Sequence, residues 1–145
     1  MKKACLFVIS GPSAVGKNSV VSEILKMDSS LTKAVTCTTR KIRKSEKHGE
    51  DYFFMKKKDF LLAIERKDFI EFSKIYKNYY GIMFSHINEK ISNGKDVILI
   101  INSDGFLKIK EIIAKNIEVH GIFILPPSIE DLELRIKLRG EESPT

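Results

Sequence analysis

Cysteine and arginine are scarce in this chain, and long apolar runs are missing. The two cysteines, Cys5 and Cys37, fall in predicted strands with no C-x-x-C spacing. That excludes a paired redox or zinc motif and makes them small buried apolar residues. His48, His86 and His120 also lack metal-ligand spacing, so all three read as bystanders to the chemistry. No stretch is long enough to span a membrane as a helix. The opening MKKACLFVIS looks like the start of a signal peptide, but its apolar run is short and no small-residue cleavage site follows. Repeats and low-complexity segments are absent too. A cytoplasmic protein of one domain is expected, since 145 residues at 43% hydrophobic content suffice for a single core.

The formal charge of +6 comes mostly from lysines such as Lys56, Lys57 and Lys58. They read as solvated surface, so neither nucleic acid nor membrane is an expected partner. Arginine is more selective. Arg66 stands alone on a predicted helix surface, whereas Arg40 and Arg43, and again Arg135 and Arg139, form two short clusters. Guanidinium groups so placed suit a bidentate grip on phosphate.

The most informative segment is GPSAVGKN, which follows the apolar run CLFVIS and fits G-x-x-x-x-G-K at every fixed position. Gly11 and Gly16 let the backbone curl until successive N–H groups point at phosphate oxygens, and Lys17 reaches the outer phosphates. Pro12, Ser13, Ala14 and Val15 complete the loop. The next residues, SVVSEILK, form a helix whose positive end faces the same anion. Asn18 stands where the motif ends in Ser or Thr, and Ser19 follows it.

Around this loop the sequence predicts an α/β fold. CLFVIS reads as a strand buried on both faces of a parallel sheet. Residues 33–39 read as one β-rich strand, and KIRKSEKHGED as a mobile loop without apolar periodicity. YFFM and FIEFSKIY bracket a helix in KKKDFLLAIERK, and NYYGIMF adds a short strand. HINEKISNG is a helix ending at Gly94, DVILII a buried strand, DGFLKIKEIIAKN an amphipathic helix and VHGIFIL the next strand. PPSIEDLELRIKLRG is a helix with Ser128 as N-cap and Gly140 as its stop. Strands alternating with helices imply a parallel sheet, with a middle section of antiparallel strands inserted over the site.

Ordered landmarks along nearly the whole chain give a resemblance to guanylate kinases, the enzymes that move a phosphoryl group from ATP to GMP. They are VISGPSAVGK, TCTTRKIRKSEKHGEDYFF, FIEFSKIYKNYYG, the glycine-lysine step before VILII, and IFILPPSIEDLELRIKLRG. The resemblance implies a P-loop NTPase three-layer fold with a core over residues 1–33 and 85–128. A small GMP-binding insertion covers about 34–84, and the start of a lid about 129–145. It further implies that Arg40, Arg43, Tyr52 and Tyr80 grip the GMP phosphate, and that Glu71, beside Thr36 and Gly81, reads the guanine ring. Gly11 through Ser19 would hold ATP with Mg2+. Lys17, Arg43, Arg135 and Arg139 would stabilise the transferring group.

The chain also departs from the family pattern. Asn18 replaces the hydroxyl that touches Mg2+, leaving its amide oxygen, or Ser19 in partial substitution, as the expected metal ligand. Ile100 and Asn102 replace acidic residues of an L-[DE]-I-D pattern, with Asn102 kept as a neutral contact to GMP. Ile82 replaces a hydroxyl near guanine, and the chain stops at Thr145 where the family continues through a second lid helix, another core strand and a closing helix, as expected either of a fragment of a longer product or of a decaying or repurposed kinase. These departures leave a second reading beside the phosphotransferase: a weakened or inactive binding module that uses the old GMP cleft for phosphorylated peptides.

Overall fold

A computed structural model of the chain describes residues 3–12, 14–113 and 117–139, with Arg139 described in its backbone only. The elements run β1 (Cys5–Ser10), α1 (Lys17–Met27), β2 (Leu31–Lys33), β3 (Cys37–Thr38), β4 (Phe53–Phe54), α2 (Lys57–Glu65), β5 (Phe69–Ile75) and β6 (Asn78–Met83). They continue with α3 (Phe84–Ser92), β7 (Asp96–Ile100), α4 (Ser103–Ile113), β8 (Glu118–Phe123) and α5 (Ile129–Arg139). None of the described helices is long and apolar enough to cross a membrane.

Two sheets divide the work. The first has the order β2-β7-β1-β8 with every pair parallel. Leu6 and Val8 on one face of β1 and Ile9 on the other are all buried, as a strand covered on both faces requires. Leu6 and Val8 join the main core with Val97, Leu99 and Ile109, while Ile9 packs with Val21 of α1 and Ile98 of β7. The second sheet has the order β4-β3-β6-β5, antiparallel except for β3 with β4. Its own core gathers Cys37, Phe60, Ala63 and Phe69, and burial there pushes the Cys37 thiol up to about 12, which leaves it unreactive.

The strand expected over residues 33–39 is in fact two. β2 pairs with β7 in the first sheet, and β3 pairs with Gly81 and Tyr80 of β6 in the second. Ala34 and Val35, both buried, carry the chain across, with the Ala34 N–H donating to the Ile98 carbonyl at 2.8 Å. A continuous β-rich run does not reveal the change of partner. NYYGIMF supplies β6, which lies inside the second sheet between β3 and β5.

KIRKSEKHGED is tied down, contrary to its expected mobility. The Glu46 N–H donates to the Arg43 carbonyl at 3.0 Å, Gly49 N–H to Tyr52 at 2.7 Å and Asp51 N–H to Lys47 at 3.0 Å. Acidic side chains accept further N–H groups, Lys47 to Asp51 at 2.7 Å and Arg43 to Glu46 at 2.9 Å. His48 Nδ1 accepts from Phe54 N–H at 3.1 Å. Lack of apolar periodicity marks side-chain bonding to the backbone here.

The Ser128 hydroxyl does cap α5, accepting from Asp131 N–H at 3.0 Å; the expected stop at Gly140 lies outside the described residues. At the far end of β1, the strand register sets Cys5 opposite Glu118 and Phe7 opposite His120. His120 Nε2 lies 2.9 Å from one Glu118 oxygen, and the Cys5 thiol lies 3.8 Å from the other. This grouping joins residues distant in sequence, and its internal hydrogen bonds account for it.

Gly81 offers a test of the second sheet. A Cβ there would lie 2.7 Å from the Phe69 ring and 3.1 Å from Phe60, and both rings are buried. Gly81→Ala is expected to lower unfolding free energy by about 1–3 kcal/mol through overpacking, as urea denaturation would measure. An unchanged midpoint would mean that the two rings pack more loosely than this.

Candidate functional site

The loop between β1 and α1 has the backbone that anion binding needs. Ala14 and Gly16 adopt left-handed conformations with φ of 63° and 100°, and Gly11 has φ 158°. A Cβ at Gly11 would come 2.7 Å from the Ile124 carbonyl oxygen, so only glycine fits that close approach. Gly16 is the N-cap of α1 and contributes no side-chain bond, so no capping side chain stands between the positive end of the helix and an anion. Lys17 crosses the loop and donates to the carbonyls of Gly11 at 2.7 Å and Pro12 at 3.2 Å. Asn18 and Ser19 are exposed on the first turn. Ser13 lies outside the described residues.

Two chambers open beside this loop. The first, about 480 Å³, is lined by Ala14 through Ser19 together with Lys33, Thr36, Asp51, Tyr52, Ile100 and Arg135. The second, about 490 Å³, is lined by Gly11, Glu71, Ser73, Tyr80, Gly81, Ile82 and Asn102, among others. Lys17, Thr36, Tyr52 and Ile100 belong to both. A continuous cleft with a cation at its junction is the result, and each chamber is large enough for a small-molecule ligand.

Arg40 is placed by a dense set of contacts. Its two terminal nitrogens donate to the two Glu46 oxygens at 2.8 and 2.7 Å, and both side chains are about 15% exposed. The guanidinium also lies 5.2 Å from the Tyr52 ring centre and interacts with Tyr80. The Tyr52 and Tyr80 rings are 6.1 Å apart, so one guanidinium and two phenols converge. Burial raises the Tyr52 hydroxyl above its usual pKa, with a further push from Tyr80, so it stays protonated and can donate. Arg43 is exposed, with its backbone N–H fixed to Glu46. Paired bonds anchor this wall: Thr38 Oγ1 donates to the Tyr79 carbonyl at 3.0 Å and accepts from Arg40 N–H at 3.1 Å.

Glu71 lies on β5 beside a bulge in its pairing with β6. It is only 7% exposed, and burial pushes its carboxyl above the usual range, with Lys108 at 3.7 Å opposing the shift. Asn102 lines the same chamber while its side-chain oxygen accepts the Gly105 N–H at 2.8 Å, capping α4. On the other side, Arg135 donates to the Val15 carbonyl at 3.2 Å, and its Nε sits 3.0 Å from Asp131. The Arg139 side chain lies outside the described residues.

Glu46, Lys33, Asp51 and Lys108 join the site without having been expected there. Lys108 follows Asp104 by one helical turn, which reads as a surface pair, and Glu46 lies in a run of charges. Lys33 gives no motif signal at all.

Comparison with known proteins agrees with this architecture. The family model described as guanylate kinase matches residues 3–145. A guanylate kinase of Clostridium tetani is 45% identical over 143 residues, covering 99% of this chain and 67% of its own length. One from a Polaromonas species is 42% identical over 139 residues, covering 96% of this chain and 66% of its own. The crystal structure of guanylate kinase from Anaplasma phagocytophilum superposes with a TM-score of 0.77 at 31% identity, over 97% of this chain and 69% of that one. The chain thus spans about two thirds of the length of these relatives.

Proposed function

Because the chain belongs to the guanylate kinase family, we propose that its two-chambered cleft binds ATP and GMP and moves a phosphoryl group from the first to the second. The observation that carries this reading is the junction: Lys17 belongs to both chambers, between the phosphate loop and the lining residues Tyr52 and Tyr80, with the Arg40 guanidinium against the Tyr52 ring. The core sheet with residues 1–33 and 85–128 carries the donor side, residues about 34–84 the acceptor side, and α5 the start of a lid. Nothing in the cleft favours a peptide-binding module.

In this reading the loop N–H groups and Lys17 hold the ATP phosphates, while Arg40, Arg43, Tyr52 and Tyr80 hold the phosphate of GMP. As the bond from the terminal phosphorus to the ADP oxygen breaks, a GMP phosphate oxygen forms the new bond. The acceptor is already an anion, so no side chain has to remove a proton. Positioning and positive charge supply the catalysis. Lys17, Arg43, Arg135 and Arg139 provide that charge, Glu71 accepts from guanine N–H groups beside Thr36 and Gly81, and Asn102 adds a neutral contact. The oxygen donors lining the first chamber, Asn18, Ser19 and Asp51, suit a hard cation that keeps most of its water. Mg2+ bound with ATP would neutralise phosphate charge there. The protein would work in the cytoplasm on these small molecules.

The test is a coupled assay of ADP release with GMP, AMP and UMP as acceptors. GMP is expected to be turned over preferentially. Release of ADP independent of acceptor, or equal for all three, would sink the assignment.

A further inference from the structure

Lys33 ends β2, where the register with Ile98 of β7 fixes its backbone in the core sheet. Its side chain lines the first chamber with Lys17, Asn18, Ile100 and Arg135. Alternation along β2 sets Lys33 on the face shared with Leu31, which packs toward α1. Lys33 therefore approaches the open N-terminal end of that helix. The chamber wall carries three cationic side chains, Lys17, Lys33 and Arg135, against one carboxylate, Asp51.

Half-burying an ammonium is costly unless something compensates it. Burial lowers the pKa of Lys33 below that of a free lysine, and Asp51 opposes this only through longer-range attraction. The charge on Lys33 is disfavoured by burial, and an anionic ligand is what would reverse the sign. Arg135 and Lys17 differ in that backbone carbonyls hold their cations in place.

We propose that Lys33 is a further phosphate-binding residue, whose ammonium contacts the polyphosphate chain of the nucleotide donor beside Lys17 and Arg135. The ligand class is a polyphosphate anion, and ATP is that anion if the phosphotransferase reading, on which this rests, holds. A point charge on a flexible stem suits the task, because it can follow a phosphate that shifts during transfer.

The experiment measures calorimetric binding of ATP and of inorganic tripolyphosphate to the 145-residue chain, to Lys33→Met and to Lys33→Arg, with thermal melting of each. Loss of one charge-assisted hydrogen bond should weaken both ligands by about 10- to 100-fold in Lys33→Met. Lys33→Arg should retain binding within about threefold, and Lys33→Met should melt no lower than the parent. Parental affinity in Lys33→Met, equal weakness in Lys33→Arg, or a fall in melting temperature accompanying the loss would each overturn the role. If the chain binds ATP and Lys33→Met does not, yet no acceptor is phosphorylated, the kinase reading fails while Lys33 keeps its role. A parent chain that binds neither ATP nor tripolyphosphate defeats both.

Discussion

Glu71→Gln is expected to cut the preference for GMP over AMP by about 10- to 100-fold, because a neutral amide offers one acceptor and a mismatched donor where the carboxylate offers two acceptors. The same substitution is expected to stabilise the fold at neutral pH. Glu71 is 7% exposed, and its carboxyl is held above the usual range mainly by burial, against the pull of Lys108. An acid whose pKa is raised in the folded state binds its proton more tightly there than in the unfolded chain. Stability from that group is therefore present at low pH and is lost as pH rises from the ordinary carboxylate value through the raised one. Glutamine removes this slope. Steady-state kinetics with both nucleotides, together with urea melts over about pH 4 to 8, would check the pair of effects. Unchanged discrimination would remove Glu71 from base reading; lost discrimination with a fall in stability would point to a collapsed chamber.

This opposition between recognition and stability also explains what could be read from the sequence. The phosphate loop was legible because its physics is local: two glycines, a lysine and a helix start within nine residues. β1, β7 and α5 were legible for the same reason, from unbroken apolar runs and a Ser128 cap. The change of sheet between Lys33 and Cys37 was hidden, since β-propensity does not say which strand is the partner. Glu46 was hidden because its bond to Arg40 closes a turn inside a segment with no periodicity. Lys108 and Lys33 were hidden for a more general reason. Each is a lone lysine on an ordinary element, and only tertiary placement sets one 3.7 Å from Glu71 and the other in the wall of the first chamber.

Arg40→Met is expected to raise the KM for GMP by about 100-fold, since it removes a charge-assisted contact to phosphate. It should also cost stability for a separate reason. Arg40 and Glu46 meet through two short hydrogen bonds with both side chains about 15% exposed, so removing the arginine strands a carboxylate away from most solvent. That should cost about 2–4 kcal/mol. Arg40 holds the Glu46 carboxyl below the usual range, chiefly through their hydrogen bond. Stability from the pair is full above the ordinary carboxylate pKa and drains away as pH falls through the lowered one; Arg40→Met should weaken that acid sensitivity, leaving the smaller part that Arg43 contributes. The double variant Arg40→Met with Glu46→Gln separates the two roles. With the stranded charge gone, stability should return to within about 1 kcal/mol of the parent while the KM for GMP stays high. If the double variant recovered GMP use as well, Arg40 would be a structural partner of Glu46, and the grip on phosphate would pass to Arg43, Tyr52 and Tyr80. Should it recover neither, the cation over the Tyr52 ring, 5.2 Å from its centre, would be what holds that wall of the cleft together.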